Sequence, residues 1–148
     1  MFQKILVPLD GSKYSLKALD EASQIAKTSS GKLTLIHVYS VQHFPPASGY
    51  IGPGFTDADV SRLVEATEKS GNRILQDGER RIHAAGVQVE KKLVEGHTVV
   101  EIVRAANDGN FDLIVIGSRG LSHIREMFLG SVTDGVLHLA HCAVLVIK

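Results

Sequence analysis

Two segments of this chain carry residue types that suit the binding of a small anion. Residues 8–12, PLDGS, place a carboxylate, a glycine and a hydroxyl directly after a short apolar run. Residues 117–132, GSRGLSHIREMFLGSV, follow another apolar run and combine three glycines with three arginine or histidine side chains. Glycine lets a ligand approach the backbone closely, and a helix N-terminus offers free N–H groups and a positive dipole end to phosphate. Together these patterns predict a site for a small anion, with a nucleotide as the expected ligand.

Each residue type in the second segment has a chemical role in such a site. Gly117 and Gly120 would let a flat or charged group reach the backbone. Gly130 and Ser131 would open a helix whose first N–H groups bind phosphate. Positive charge above the site would come from three side chains, namely Arg119, His123 and Arg125.

Structural alternatives stay open for several of these residues. Asp10 could cap the first helix without touching a ligand, and Ser131 could be a helix N-cap alone. Arg119 could lie in a solvated loop, and a glycine after a strand often serves only the turn of the chain. We expect no metal site, because no Asp, Glu or Cys cluster stands at ligand spacing from the histidines that suggest one. Those histidines are His37, His138 and His141.

Five apolar runs alternate with helical patterns along the chain. The strand candidates are residues 4–9, 33–39, 87–94, 113–116 and 144–147. Between them apolar residues recur at helical spacing, and the last helix is expected over residues 131–141. Right-handed crossovers place helices on both faces of a mainly parallel sheet, which predicts a single three-layer α/β domain, residues 1–148, of Rossmann-like architecture. A long loop rich in proline and glycine is predicted over residues 40–58.

The strand ends indicate where a ligand would sit. Ligands of open α/β sheets bind beyond the carboxyl ends of the strands, at the point where the strand order reverses. If the first and fourth strands are neighbours, Asp10 and Gly117 face each other across one crevice.

Smaller signals concern helix ends and packing. Gly31 marks the end of the first helix, and Thr98 with Glu101 forms a capping box at the start of another. Gly71 and Gly78 interrupt a long helix, where each costs about 1 kcal/mol against alanine, so we expect close packing contacts at both.

Taken together, these residues resemble the ATP-binding branch of the universal stress proteins. The pattern Gly117-x2-Gly120-x9-Gly130-Ser131 matches the glycine signature of that branch. Four further stretches occur in order along the whole chain: KILVPLDGS, LTLIHVY, FDLIVIGSRG and AVLVIK. The resemblance implies a five-stranded parallel sheet in the order 3-2-1-4-5, which makes strands one and four neighbours. It also implies a stress-response regulatory protein that binds ATP, with or without Mg²⁺.

The same resemblance implies roles for individual residues. Contacts to ribose and adenine would come from the ends of the first two strands, at Pro8, Leu9, Asp10 and the backbone of Val38. The ribose and phosphate path would be lined by Gly117, Arg119 and Gly120. The phosphates would be bound by Gly130, Ser131 and Val132. A homodimer paired through the last strand, Val144 to Ile147, is implied as well.

The sequence favours a protein that binds ATP over one that turns it over. The alternative is a slow ATP hydrolase or nucleotidyl-transfer enzyme on the same fold, for which His123 or Asp10 could serve as a base. No established catalytic constellation supports that alternative. A phospho-acceptor receiver domain would need an aspartate at the carboxyl end of the third strand, where residues 93–96 read LVEG. That class is excluded.

The overall composition narrows the range of partners. Sixteen Lys and Arg residues balance sixteen Asp and Glu residues, so no basic excess would drive binding to nucleic acid. The N-terminal residues lack the pattern of a signal peptide, and no apolar stretch is long enough to span a bilayer. The single cysteine, Cys142, fits a reducing compartment. We therefore expect a cytoplasmic protein that binds neither nucleic acid nor membranes.

Overall fold

Strands and helices alternate along the chain in a computed structural model that describes residues 1–41, 56–121 and 129–148. The strands are β1 (Lys4–Pro8), β2 (Lys32–Tyr39), β3 (Val89–Glu95), β4 (Leu113–Gly117) and β5 (Ala143–Ile147). The helices are α1 (Lys13–Ser29), α2 (Asp57–Ile82), α3 (Thr98–Asp108) and α4 (Ser131–Leu139), and a short 3₁₀ turn, His83–Ala85, follows α2. Most of the loop predicted over residues 40–58 lies outside the described residues, as do His123 and Arg125.

The five strands form one parallel sheet in the order β3-β2-β1-β4-β5. β1 pairs with β2 on one side and with β4 on the other, so the strand order reverses between β1 and β4. The α/β class, the strand order and the adjacency of the first and fourth strands are therefore confirmed.

Helices cover both faces of the sheet and create two separate cores. On one face, the odd-numbered β1 residues Ile5 and Val7 pack with apolar residues of α1 and α2. On the other face, Leu6 of β1 packs with Ile102 of α3 and Val136 of α4. A strand that is buried on both faces needs apolar residues at every position, which explains the uninterrupted apolar runs. The three-layer arrangement is confirmed.

The two glycines inside α2 allow the close packing that the sequence predicts. A Cβ atom on Gly78 would lie 2.7 Å from Cδ1 of Leu9, a residue at the end of β1. A Cβ atom on Gly71 would lie 2.7 Å from Cδ2 of His37 and 2.6 Å from Cδ1 of Leu93. Both glycines therefore bring α2 close to the carboxyl ends of the strands.

The capping box predicted at Thr98 is wrong. α3 begins at Thr98, and the N-cap is His97, whose backbone is extended at φ −80° and ψ 121°. A residue that already has helical dihedrals cannot act as the N-cap. The Glu101 carboxylate instead accepts a hydrogen bond from Arg104 Nη1 at 2.7 Å.

Two other element ends differ from the sequence expectation by two residues. β3 begins at Val89 rather than at residue 87, although Val87 still packs against the core beside α2. α4 ends at Leu139 rather than at residue 141, because Ala140 leaves the helix with φ −70° and ψ 140°.

Gly31 stands just after α1, but it is not the left-handed residue that ends the helix. That residue is Ser30, with φ 53°, followed by a bond from Gly31 N to Ala26 O of 2.9 Å. A Cβ atom on Gly31 would lie 2.5 Å from the carbonyl oxygen of Phe2. Glycine is therefore needed at position 31 for close approach to the N-terminal backbone.

Substitutions at these two neighbours should change stability in opposite directions. Ser30→Gly should raise the free energy of unfolding by roughly 0.5–1 kcal/mol, because glycine relieves the cost of a left-handed conformation. Gly31→Ala should lower it by about 1–3 kcal/mol, because the backbone oxygen of Phe2 leaves no room for a methyl group. Urea unfolding of both variants measures the difference. A neutral Gly31→Ala would contradict the close-approach explanation.

Candidate functional site

The pairing between β1 and β4 stops early and opens a crevice at the carboxyl ends of the strands. β1 pairs with β2 over five residue pairs, but with β4 over only two, Ile5↔Leu113 and Leu6↔Ile114. Leu9 N donates to Ile36 O and Gln3 O accepts from Lys32 N, which shows that the odd-numbered residues along β1 face β2. The even-numbered residues therefore face β4, and the next donor after Leu6 would be Pro8. Proline has no N–H, so the ladder cannot continue.

A cavity of about 280 Å³ lies at this crevice. The ten residues to which the resemblance assigns nucleotide contacts all line it: Pro8, Leu9, Asp10, Val38, Gly117, Arg119, Gly120, Gly130, Ser131 and Val132. The structure therefore brings the ends of three strands and the start of α4 to one place. The polar residues Ser15, Thr98 and Thr133 also line the wall, although nothing in the sequence marked them as site residues. His37 lines it as well, although the sequence singled it out only as a candidate metal ligand.

Asp10 joins the two segments that form the crevice. Its Oδ1 accepts a hydrogen bond from Ser12 N at 2.9 Å, across a turn in which Gly11 has φ 81°. Ser12, not Asp10, is the N-cap of α1, because its hydroxyl accepts from Ser15 N at 3.2 Å. The second carboxylate oxygen, Oδ2, would lie 2.6 Å from a Cβ atom on Gly120. The Asp10 carboxylate thus lies directly against the loop after β4.

The first two glycines of the signature are needed for different physical reasons. A Cβ atom on Gly117 would lie 2.7 Å from the carbonyl carbon of Tyr14 and 2.9 Å from Ser15 N. The absence of a side chain at Gly117 therefore serves the packing of α1 against β4, which gives this glycine a structural reason beside its predicted ligand role. At Gly120, the side-chain oxygen of Asp10 is the near neighbour, so this position faces the crevice.

Main-chain hydrogen bonds fix the start of α4 beside the end of β4. Ser118 N donates to Ile147 O at 2.7 Å, and Gly130 N donates to Ser118 O at 2.8 Å. Gly130 is the N-cap of α4, and the bond from Asp134 N to Gly130 O begins the helical pattern. The N–H groups of the first helical residues, 131–133, precede that bond and form the positive end of the helix dipole. An anion in the cavity would meet them.

Thr133 ties α4 to β4 with a side chain. Its hydroxyl donates to Gly117 O at 2.7 Å, and the residue is buried at 3% exposure. Since a buried hydrogen bond fixes both partners, Thr133 sets the distance between the glycine loop and the first turn of α4. Ser131 is not the helix N-cap that the sequence left open as an alternative, since Gly130 takes that position and Ser131 is exposed.

His37 holds the other end of the crevice. Its Nδ1 lies 2.7 Å from the carbonyl oxygen of Leu9. A carbonyl can only accept, so Nδ1 carries the proton in this contact. The half-buried ring lies between the end of β1 and Gly71 of α2.

Tyr39 follows Val38 at the end of β2 and pairs with α2. Its hydroxyl donates to Glu68 Oε1 at 2.7 Å. This hydrogen bond, together with partial burial and the negative charges of Glu68 and Glu95, raises the pKa of Tyr39 to about 12.

Neither a metal cluster nor a membrane helix is present in the part of the chain that the structure describes. Within residues 1–41, 56–121 and 129–148, no three His, Cys, Asp or Glu side chains are grouped so that they could hold a metal ion. None of the helices built from those residues is long and apolar enough to cross a bilayer.

Comparison with known proteins identifies a family to which the sequence is similar. The sequence model described as the universal stress protein family matches residues 1–148. A curated relative, universal stress protein YxiE of Bacillus subtilis, is 36% identical over 152 residues, which cover 100% of both chains.

Solved structures agree with the fold. The universal stress protein UspA from Lactobacillus plantarum superposes with a TM-score of 0.84 at 24% identity, over 99% of this chain and 98% of that one. A universal stress protein solved in complex with cAMP superposes with a TM-score of 0.72 at 35% identity, over 99% of this chain and 97% of that one.

Replacement of Glu68 tests the cause of the raised pKa. Glu68→Gln should bring the pKa of Tyr39 down from about 12 toward its usual value of about 10, because the carboxylate acceptor is lost. In the unmodified chain the raised pKa contributes stability that is fully present below pH 10 and is lost as the pH rises through about 12. Ultraviolet titration of tyrosinate measures the shift, with Tyr39→Phe to assign it. Glu65→Gln, on the same helix, should leave the titration unchanged, and an unchanged titration in Glu68→Gln would contradict the assignment.

Proposed function

The chain belongs to the universal stress protein family, and we propose that it is an ATP-binding regulatory protein of the stress response. One observation carries the proposal. The predicted base and ribose contacts, residues 8–10 and 38, precede the predicted glycine signature by at least 79 residues in sequence, yet all of them line one cavity. The related structure in complex with cAMP, at 35% identity, supports an adenine nucleotide as the ligand class.

The base would be held by the main chain of β2. Even-numbered residues of β2 face β1, as the bond from Leu9 N to Ile36 O shows. The next residue in that series is Val38, which lies just beyond the last β1 pair, Pro8↔Ile36. Its N–H and C=O therefore face the crevice. A donor beside an acceptor matches the adenine edge, where a ring nitrogen accepts and the amino group donates.

The ribose and phosphates would extend from β1 toward α4. The Asp10 carboxylate suits the ribose hydroxyls, which donate hydrogen bonds. The path then passes Gly117 and Gly120 to the N–H groups of Ser131 and Val132, where the helix dipole stabilises negative charge. The half-buried Arg119 side chain lines the same path. The Asp10 carboxylate would also supply an oxygen ligand to a Mg²⁺ ion that accompanied the phosphates.

We also propose a homodimer formed through the outer edge of β5. β5 is the last strand of the sheet order, and its sequence, AVLVI, carries no charge. Unprotected apolar edge strands tend to pair with other strands. The bond from Ser118 N to Ile147 O shows that odd-numbered residues face β4. Val144 and Val146 therefore direct their N–H groups outward.

Gly120→Val tests the nucleotide site. The branched side chain would push against Asp10 Oδ2 and fill the phosphate path, so we expect loss of ATP binding with the fold retained. Calorimetric titration with ATP measures binding, and mass spectrometry identifies any nucleotide that copurifies with the unmodified chain. Thr28→Val adds the same side chain at an exposed position at the other end of α1 and should bind normally.

Three results would change the function assigned to this site. Normal ATP binding by Gly120→Val would show that the site is elsewhere. Absence of both copurified nucleotide and titratable heat in the unmodified chain would contradict ATP binding altogether. Accumulation of ADP over hours would instead indicate the alternative function, a slow ATP hydrolase.

Val146→Pro tests the dimer interface. Proline removes one outward N–H of β5 but no bond to β4, so the fold should survive while the dimer dissociates to monomers. Sedimentation velocity measures the oligomeric state. Val146→Ala keeps the N–H and should remain dimeric. A folded Val146→Pro chain that stays dimeric would place the interface on another surface.

A further inference from the structure

The end of the β1–β2 ladder contains a hydrogen bond that differs from the regular parallel pattern. In that pattern Leu9 N donates to Ile36 O, and Val38 N then donates to Leu9 O. The first bond is present at 2.8 Å. Leu9 O, however, accepts from the His37 imidazole at 2.7 Å. Among the hydrogen bonds of the described residues, none runs from Val38 N to Leu9 O.

The imidazole therefore donates to the carbonyl that the Val38 N–H would bind in a regular ladder, and the Val38 N–H does not donate to it. His37 and Val38 are adjacent, but their side chains leave opposite faces of the strand. His37 lies on the α2 face, against Gly71, whereas the Val38 side chain packs into the core beneath α3. The ring can thus hold the Leu9 carbonyl from one face while the Val38 main chain stays directed at the crevice.

Space for the ring is provided by α2. A Cβ atom on Gly71 would lie 2.7 Å from Cδ2 of His37 and 3.4 Å from Nε2. A helix residue larger than glycine would collide with the ring and disturb its contact with Leu9. The position of His37 is therefore set by both β1 and α2.

We propose that His37 is a positioning residue that sets the base preference of the nucleotide site by keeping the Val38 N–H available to the ligand. The inference rests on the proposed nucleotide function. Adenine presents a ring acceptor beside an amino donor, and a main-chain N–H beside a C=O matches that order. Guanine presents a ring donor beside a carbonyl oxygen and reverses it. A site built to form such hydrogen bonds rejects a ligand that leaves them unmatched.

The ratio of GTP to ATP dissociation constants tests the inference. In His37→Leu the Leu9 carbonyl loses its donor and is expected to pair with Val38 N. ATP binding then loses one hydrogen bond while GTP binding loses none, so the ratio should fall by about tenfold. His37→Asn keeps an amide N–H at the same number of bonds from the backbone as Nδ1, and it should preserve most of the ratio. His83→Leu, an exposed histidine after α2, is the matched control and should leave the ratio unchanged.

Amide hydrogen exchange tests the same inference without any nucleotide. In His37→Leu the Val38 amide should exchange about tenfold more slowly than in the unmodified chain, because it gains the Leu9 carbonyl as partner. In His37→Asn it should exchange as in the unmodified chain. If His37→Leu does not fold, Gly71→Ala is used instead of His37→Leu in both measurements. This variant keeps the imidazole but displaces it.

The two measurements separate failure of the inference from failure of the proposed function. An unchanged ratio in His37→Leu, an equal loss of ATP and GTP binding, or no rescue by His37→Asn would each overturn the positioning role. Faster or unchanged exchange of the Val38 amide in His37→Leu would overturn it as well. Slower exchange in a chain that binds no nucleotide would support the contact with Leu9 but contradict both the proposed ATP function and the role of His37 in base preference.

Discussion

The separation of β1 from β4 is the constraint on which the rest of the site depends. The two strands pair at Ile5 and Leu6 and then part, because the next donor in the series would be Pro8. Had that ladder continued, the sheet would have filled the space that the cavity now occupies. The separation also leaves Asp10 on one side and Gly120 on the other, close enough that a single Cβ atom would bring them into collision. The missing N–H of Pro8 thus opens the site. The chain segments on the two sides of the crevice position the polar groups around it.

Each side of the crevice is held by a different core. The end of β1 is backed by the core under α1 and α2, with Leu9 at 3% exposure and Gly78 of α2 in close contact with it. The start of α4 is backed by the second core, in which Val136 is fully buried. Side-chain hydrogen bonds complete both sides, His37 to Leu9 O on the first and Thr133 to Gly117 O on the second. The base half and the phosphate half of the proposed site can therefore be perturbed separately.

Much of this arrangement could be predicted because it follows from local patterns. Apolar runs without alternation indicate strands buried on both faces, and the glycine signature with Asp10 indicates a shared crevice, which the cavity lining supports. Features that depend on contacts between distant chain segments could not be predicted from local sequence patterns. Ser30, not Gly31, takes the left-handed position, and Gly31 is needed instead for its close approach to the Phe2 carbonyl, 29 residues earlier in the sequence. Thr98 looks like an N-cap, yet α3 begins one residue earlier than a capping box there requires. His37 reads as an ordinary strand residue until Leu9 and Gly71 are seen beside it.

The signature glycines show why a motif can be recognised before its physics is known. Gly117 and Gly120 stand three residues apart, and the sequence suggests one shared reason, access of a ligand to the backbone. In the structure, Gly117 is required by the backbone of Tyr14 and Ser15, so its loss would move α1 itself. Gly120 is limited by the Asp10 side chain, which can shift. A substitution at Gly117 therefore acts on the fold first and on the site through the fold, whereas a substitution at Gly120 acts on the site directly. Only the second position can separate nucleotide binding from folding.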